Sequence, residues 1–137
     1  MTPVRLIHAV APVRVCDVGG WTDTWFARHG EVCSIAVQPG VEVRVAASQT
    51  RSQQVVIDAV DYGERLVLDA EHPVPERHEL LAEAVAEGIA LGPLPDNGAV
   101  EISVTSGVPP GCATGTSAAV SVAIIGAMCQ LAGSRPS

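Results

Sequence analysis

The chain of 137 residues contains no lysine; all eight of its cations are arginine. That removes Schiff-base chemistry, a lysine nucleophile and the lysine of a Walker-type phosphate loop. The arginines form no cluster, and the formal net charge is −7. A concentrated basic face is what nucleic acid and anionic membranes require, so neither is expected as a partner. The four cysteines, Cys16, Cys33, Cys112 and Cys129, stand far apart, with no C-x-x-C pair and no histidine at ligand spacing. Neither a zinc site nor a disulfide framework is expected from them. The opening residues have no basic stretch followed by a long apolar run, so they do not read as a signal peptide. The apolar run Ala118–Ala132 is shorter than a membrane span and holds Ser121 and Gln130. The expectation is a reduced, cytoplasmic protein.

What the chain does have is apolar content, 47% of its residues. That suffices for the core of one domain over 1–137. Six short runs rich in β-branched residues read as strands: Val4–Val10, Val13–Val18, Val32–Val37, Val41–Ala47, Gln54–Val60 and Glu64–Ala70. Ala11-Pro12 separates the first two, while Pro39-Gly40 and Asp61-Tyr62-Gly63 supply turns, so sequential antiparallel hairpins are the economical pairing. The period then changes. Leu81, Ala84, Val85, Gly88 and Ile89 share a face opposite Glu79, Glu83 and Glu87, which predicts an amphipathic helix opening near Pro75 and ending at Gly92-Pro93. Gly98–Ser106 returns to strand, and Ser117–Ala132 is a helix apolar on nearly every side, closed by Gly133 and Pro136. The fold class is therefore α+β, with mostly antiparallel strands and two principal helices. A helix apolar all round has to be buried, yet only a few residues follow it. A cover is expected from a second copy, a partner chain or a further stretch of polypeptide, and the chain alone is expected to have little turnover.

Between the last strand and the last helix lies Pro109-Pro110-Gly111-Cys112-Ala113-Thr114-Gly115-Thr116-Ser117. Two prolines stiffen its entry, and the two glycines permit close backbone approach. The hydroxyls of Thr114, Thr116 and Ser117 stand where a helix begins, and free amides at that end favour an anion. Hydroxyls beside a phosphate can also ligate magnesium. The alternative is a Pro/Gly turn with Thr116 as an ordinary helix cap, and the loop by itself does not separate the two. A Walker loop is excluded, because Thr116 stands where its lysine would be. A dinucleotide fingerprint fits poorly in glycine spacing and in the absence of a following acid.

A second stretch, Ala11-Pro12-Val13-Arg14 through Gly19-Gly20-Trp21-Thr22-Asp23, adds to it. Together with Pro109–Ala119 it resembles the kinases of the galactokinase, homoserine kinase, mevalonate kinase and phosphomevalonate kinase superfamily, the GHMP kinases. The Gly-Gly-Trp-Thr-Asp form is similar to the heptose-phosphate kinase and fucokinase branch. The loop departs from the family's Gly-Leu-Gly-Ser-Ser, since Ala113-Thr114-Gly115-Thr116-Ser117 stands there. The family's catalytic aspartate and third, glycine-rich motif would lie beyond the last helix.

This resemblance implies an N-terminal domain of the ribosomal protein S5 domain 2-like fold and ATP-dependent transfer of a phosphoryl group to a sugar or sugar phosphate. It implies ATP and Mg2+ as cofactors, with Pro110, Gly111, Cys112, Ala113, Thr114, Gly115, Thr116 and Ser117 cradling the nucleotide and Ser117 ligating the metal. It gives Arg14 to the transferred phosphoryl group, and Gly20, Trp21, Thr22 and Asp23 to the acceptor sugar. Against these stand plainer roles: Arg14 as a structural ion-pair former, Asp23 as a turn residue, Trp21 and Trp25 as core, Asp17 as a strand-edge charge, and Cys112 as a small filler. His8, His29, His72 and His78 are isolated and read as surface or core residues. The rival functions are a non-catalytic nucleotide- or sugar-binding module and an RNA-binding domain of the same topology. The charge of −7 opposes the second.

Overall fold

The computed structural model describes residues 5–19, 22, 24–49, 54–69, 79–92, 94, 98–109 and 111–134. Among the described residues, five strands and two helices follow in the order β1 (Arg5–Val18), β2 (Cys33–Gln49), β3 (Gln54–Ala59), β4 (Glu64–Asp69), α1 (Glu79–Ala90), β5 (Gly98–Ser106) and α2 (Thr116–Ala132), with a 3-10 turn, Val60–Tyr62, between β3 and β4. The sheet order is β1-β2-β5-β3-β4. Every neighbouring pair is antiparallel except β3 with β5, which run parallel and are bridged by β4 and α1. This is the mostly antiparallel α+β arrangement expected.

Neither the separation expected at Ala11-Pro12 nor the turn expected at Pro39-Gly40 breaks the chain into two strands. The runs at Val4–Val10 and Val13–Val18 form one continuous strand, and so do those at Val32–Val37 and Val41–Ala47. The prolines are the reason. Pro12 and Pro39, the latter after a cis Gln38–Pro39 bond, sit at the same level of the β1–β2 ribbon, where pairing jumps from Ala11↔Val41 to Val13↔Val37. A residue without an N–H cannot donate to the ladder, so placing both prolines in one irregularity leaves the pairing on either side intact. Gly40 belongs to that irregularity, because a Cβ there would collide with the Ala11 carbonyl oxygen. The Asp61–Gly63 turn does close a hairpin, with Gly63 at φ 63°. The parallel insertion of β5 between β2 and β3 departs from simple sequential hairpins.

The alternation in β2 is what the sequence pattern calls for. Val41, Val43, Val45 and Ala47 are buried, while Arg44 between them is exposed. Val55 and Ile57 of β3 and Val100, Ile102 and Val104 of β5 face the same way. Both helices cover that face and pack on each other. Gly88 of α1 lets them cross closely, since a Cβ at that position would stand 2.5 Å from the Met128 Cβ of α2. Burying a core of this kind yields roughly 1.5–3 kcal/mol per large aliphatic side chain. The start of α1 near Pro75 lies outside the described residues.

α2 begins one residue before the expected Ser117, at Thr116, and is not buried on every side. Ala123, Ile124, Ala127, Met128 and Leu131 enter the core, but Ala118, Val122, Gly126 and Gln130 are exposed. Its C-terminus is held by Arg5, whose guanidinium donates to the carbonyl oxygens of Leu131 (2.7 Å) and Gln130 (2.9 Å). A cation there opposes the negative end of the helix dipole. No helix of the described chain is long and apolar enough to cross a membrane.

Candidate functional site

β1 is an edge strand, and the loop after β5 folds back onto the second half of that edge. The Arg14 amide donates to the Thr114 carbonyl oxygen at 2.9 Å. The side chain of Arg14 runs along Gly115, where an added Cβ would stand 3.3 Å from Nε and 3.4 Å from Cγ. Arg14 is exposed and forms no ion pair with the described residues. Two motifs from opposite ends of the sequence are therefore side by side, and the structural ion-pair role for Arg14 has no partner among the described residues.

The loop is built from left-handed backbone. Gly111 (φ 82°), Ala113 (φ 52°) and Gly115 (φ 69°) alternate with ordinary residues. Ala113 costs roughly 1–2 kcal/mol in this conformation, a penalty absent from glycine. Gly115 itself is the N-cap of α2, and no side chain caps this end. Thr116 is thus not the helix cap; its Oγ1 lies 3.1 Å from Thr114 Oγ1 instead. The first intrahelical bond runs from the Ala119 amide to the Gly115 carbonyl oxygen at 3.1 Å. The amides ahead of it, with the positive end of the dipole, point away from the helix and have no side-chain acceptor among the described residues. Cys112 is exposed rather than a tight filler. Pro110 lies outside the described residues.

Next to this helix end is a cavity of about 200 Å3. Ala59, Leu80, Leu81, Val104, Val108 and Val120 make its apolar wall, and Asp61, Tyr62, Ser106, Gly111, Thr116 and Ser117 supply its polar part. Several hydrogen bonds fix the entrance. The Ser106 amide donates to the Asp61 carboxylate. The Ser106 hydroxyl donates to the Val108 carbonyl oxygen (2.7 Å) and accepts from the Val108 amide (3.1 Å), and the Gly107 amide donates to the Gly40 carbonyl oxygen (3.0 Å). The loop is consequently anchored at both ends, to β2 at Gly40 and to β1 at Arg14. Sequence reasoning missed Asp61, Tyr62, Leu80 and Val108. Asp61-Tyr62-Gly63 reads as a turn and nothing more, and no periodicity relates it to a loop that follows a different strand.

Gly19 and Thr22 are bonded directly to each other. Gly19 has φ 79°, and its carbonyl oxygen accepts from both the Thr22 amide (3.0 Å) and the Thr22 hydroxyl (2.8 Å). Gly30 is needed opposite, where a Cβ would collide with the Thr22 methyl group. The Thr22 hydroxyl is therefore engaged with the Gly19 carbonyl oxygen. Gly20, Trp21 and Asp23 lie outside the described residues. Trp25 is 92% exposed and packs edge-on against Phe26 at 5.6 Å between ring centroids, so it is not a core residue. His8 and His29 are exposed, with His8 bonded to Glu42 at 3.2 Å; His72 and His78 lie outside the described residues.

Comparison with known proteins bears on this geometry. Residues 79–137 match the profile of the GHMP kinases N terminal domain. No curated protein sequence matches the chain. Among solved structures, a mevalonate kinase superposes with a TM-score of 0.73 at 13% identity, over 96% of this chain and 42% of that one. Lactococcus lactis galactokinase complexed with galactose gives 0.71 at 11% identity, over 97% and 34%. A D-glycero-D-manno-heptose 1-phosphate kinase from Bacteriodes thetaiotaomicron gives 0.64 at 17% identity, over 91% and 41%. The chain thus spans less than half the length of each of these proteins. Its five-stranded sheet and two helices are the GHMP kinase N-terminal fold, and residues 79–137 carry that domain's sequence signature.

Proposed function

We propose that the chain is the nucleotide-binding part of an ATP-dependent kinase that phosphorylates a hydroxyl of a sugar or sugar phosphate. The observation that carries this reading is one continuous surface: an apolar cavity that opens onto an uncapped helix N-terminus, with a lone arginine laid against the same loop. An apolar slot suits a nucleobase, and the amides of Gly111–Ser117 suit the phosphates that follow it. The sugar class rests on the resemblance of Gly19–Asp23 to sugar-kinase motifs. Galactokinase and heptose phosphate kinase are among the structural neighbours, although mevalonate kinase is too.

In this reading Arg14 presents a fork of donors to the phosphoryl group in transit, where charge spreads over its oxygens. The rigid anchoring of the loop at Gly40 and Arg14 holds the phosphates without reorganisation, which is how phosphoryl transfer is accelerated. Asp23 accepts hydrogen bonds from the acceptor sugar. The described residues hold no cluster of three or more histidine, cysteine or carboxylate groups that would cage a metal. Hydroxyls at Thr116 and Ser117 fit Mg2+, which takes few protein ligands and keeps water and phosphate oxygens for the rest. When bound it would neutralise phosphate charge.

Titration calorimetry with ATP in the presence and absence of Mg2+ tests the site. An ADP-release screen over hexoses and heptose phosphates tests the sugar. ATP binding with no turnover on any acceptor favours the second reading, a nucleotide-binding or regulatory module. Absence of ATP binding by the folded chain rejects the kinase reading and leaves only a sugar-binding or regulatory module.

A further inference from the structure

The cavity beside the α2 N-terminus contains a carboxylate, Asp61, with one oxygen still to be accounted for. Asp61 and Tyr62 stand on the 3-10 turn between β3 and β4, and that turn is held in place. The Gly63 amide donates to the Val60 carbonyl oxygen at 3.1 Å, Ala59 pairs with Glu64 across the hairpin, and the turn packs on β5. The Ser106 amide donates to one oxygen of the Asp61 carboxylate, Oδ2. The other, Oδ1, has no partner among the described residues.

The other polar side chains near it cannot discriminate as a carboxylate does. The Ser106 hydroxyl already donates to the Val108 carbonyl oxygen and accepts from the Val108 amide. The Tyr62 hydroxyl donates or accepts, so it suits either kind of partner. An ionised carboxylate only accepts. A polar group of a ligand that meets Oδ1 must therefore bring a hydrogen.

Asp61 also lies away from the phosphate end of the cavity. Among the strands, α2 packs on β1 and β2, whereas Asp61 follows β3, and β5 stands between β2 and β3. Two strand spacings, roughly 10 Å, separate β2 from β3. A nucleotide whose phosphates rest on the α2 amides uses the first part of that span for its ribose and brings the outer edge of its base to Asp61. Ala59, Leu80, Leu81 and Val104 supply the apolar wall on which the faces of the base can lie.

We propose that Asp61 selects the nucleobase: Oδ1 accepts a hydrogen bond from the exocyclic amino group of adenine and disfavours purines that carry a carbonyl oxygen at that position. Hypoxanthine and guanine would set an acceptor against an acceptor there. Guanine does offer a pair of donors, N1–H and the 2-amino group, which suit a carboxylate with both oxygens free. Here Oδ2 is committed to the Ser106 amide, so that pairing is unavailable to it. The assignment rests on the nucleotide-binding reading of the same cavity and adds to it the base and the residue that reads it.

Titration calorimetry of the 137-residue chain with ATP, ITP and GTP, each with excess Mg2+, tests it. The parent should bind ATP about tenfold or more tightly than either of the others. Asp61→Asn then separates base reading from a structural role. Its amide oxygen keeps the bond from the Ser106 amide, so its NH2 group replaces Oδ1 and an acceptor becomes a donor. ATP should weaken and ITP strengthen, lowering the ratio of their affinities by about tenfold or more. If Asp61 only fastened Ser106, all three nucleotides would change together, and an unchanged ratio in the variant overturns the proposal. A parent that binds the three equally overturns it without any variant and leaves the nucleotide site standing. Binding of none of them by the folded chain overturns the nucleotide reading, and the base assignment with it.

Discussion

Gly115→Val probes the phosphate cradle most directly. Gly115 has φ 69°, a conformation that costs an L-residue roughly 1–2 kcal/mol and a β-branched one the upper end of that range. Its Cβ would meet Arg14 at 3.3 and 3.4 Å, tighter than most real contacts, and the two γ-methyl groups of valine extend further. Arg14 can swing aside, so the protein should fold, with a loss of about 2 kcal/mol and a fall in Tm of roughly 6–8 °C for a domain of this size. What cannot be relieved is the position of the methyl groups over amides that approach the phosphates, and ATP affinity should fall by at least tenfold. Gly133→Ala is the matched control. It sits at the other end of α2 with φ 73° and nothing within 4 Å of an added Cβ. It should lose about 1 kcal/mol of stability and keep its ATP affinity. Thermal unfolding and titration calorimetry on both variants give the answer. A folded Gly115→Val protein that binds ATP as well as the parent refutes the cradle.

Ser117→Ala should leave ATP binding without metal unchanged and remove most of the gain from Mg2+, read by calorimetry at several Mg2+ concentrations. Arg14→Lys should leave sugar and nucleotide affinity close to the parent and slow transfer, because an ammonium cannot reproduce the bidentate fork; this needs the complete enzyme and a turnover assay. Asp23→Asn should lower sugar affinity by tenfold or more, from about 1.5–3 kcal/mol per charge-assisted bond, with ATP affinity intact; the opposite pattern in binding titrations would reverse the assignment of the two halves. Gly88→Ala should destabilise the domain by about 1–2 kcal/mol in urea unfolding, because overpacking against Met128 outweighs the gain in helix propensity.

Local sequence determined the elements. The β-branched alternation of Val41–Ala47, the 3.6-residue period from Leu81 to Ile89 and the glycines around Thr114 each act within one or two turns of chain, so a short window contains the relevant physics. The motif around Arg14 and the loop at Pro109–Ser117 were legible for the same reason, as residue types at fixed spacing.

Only the tertiary structure decided how those pieces meet. That Pro12 and Pro39 share one irregularity, and so do not break the strands, depends on the β1–β2 register. The insertion of β5 between β2 and β3 is a pairing across α1, and it carries Ser106 to the Asp61 carboxylate and completes the cavity. The same holds for Arg14 against Gly115, and for the stripe Ala118–Val122–Gly126 left open on a helix whose composition reads as wholly buried. Each is a contact between segments far apart in the chain. No local preference encodes such a contact, because it exists only once the entropy of closing the intervening loop has been overcome by the whole core.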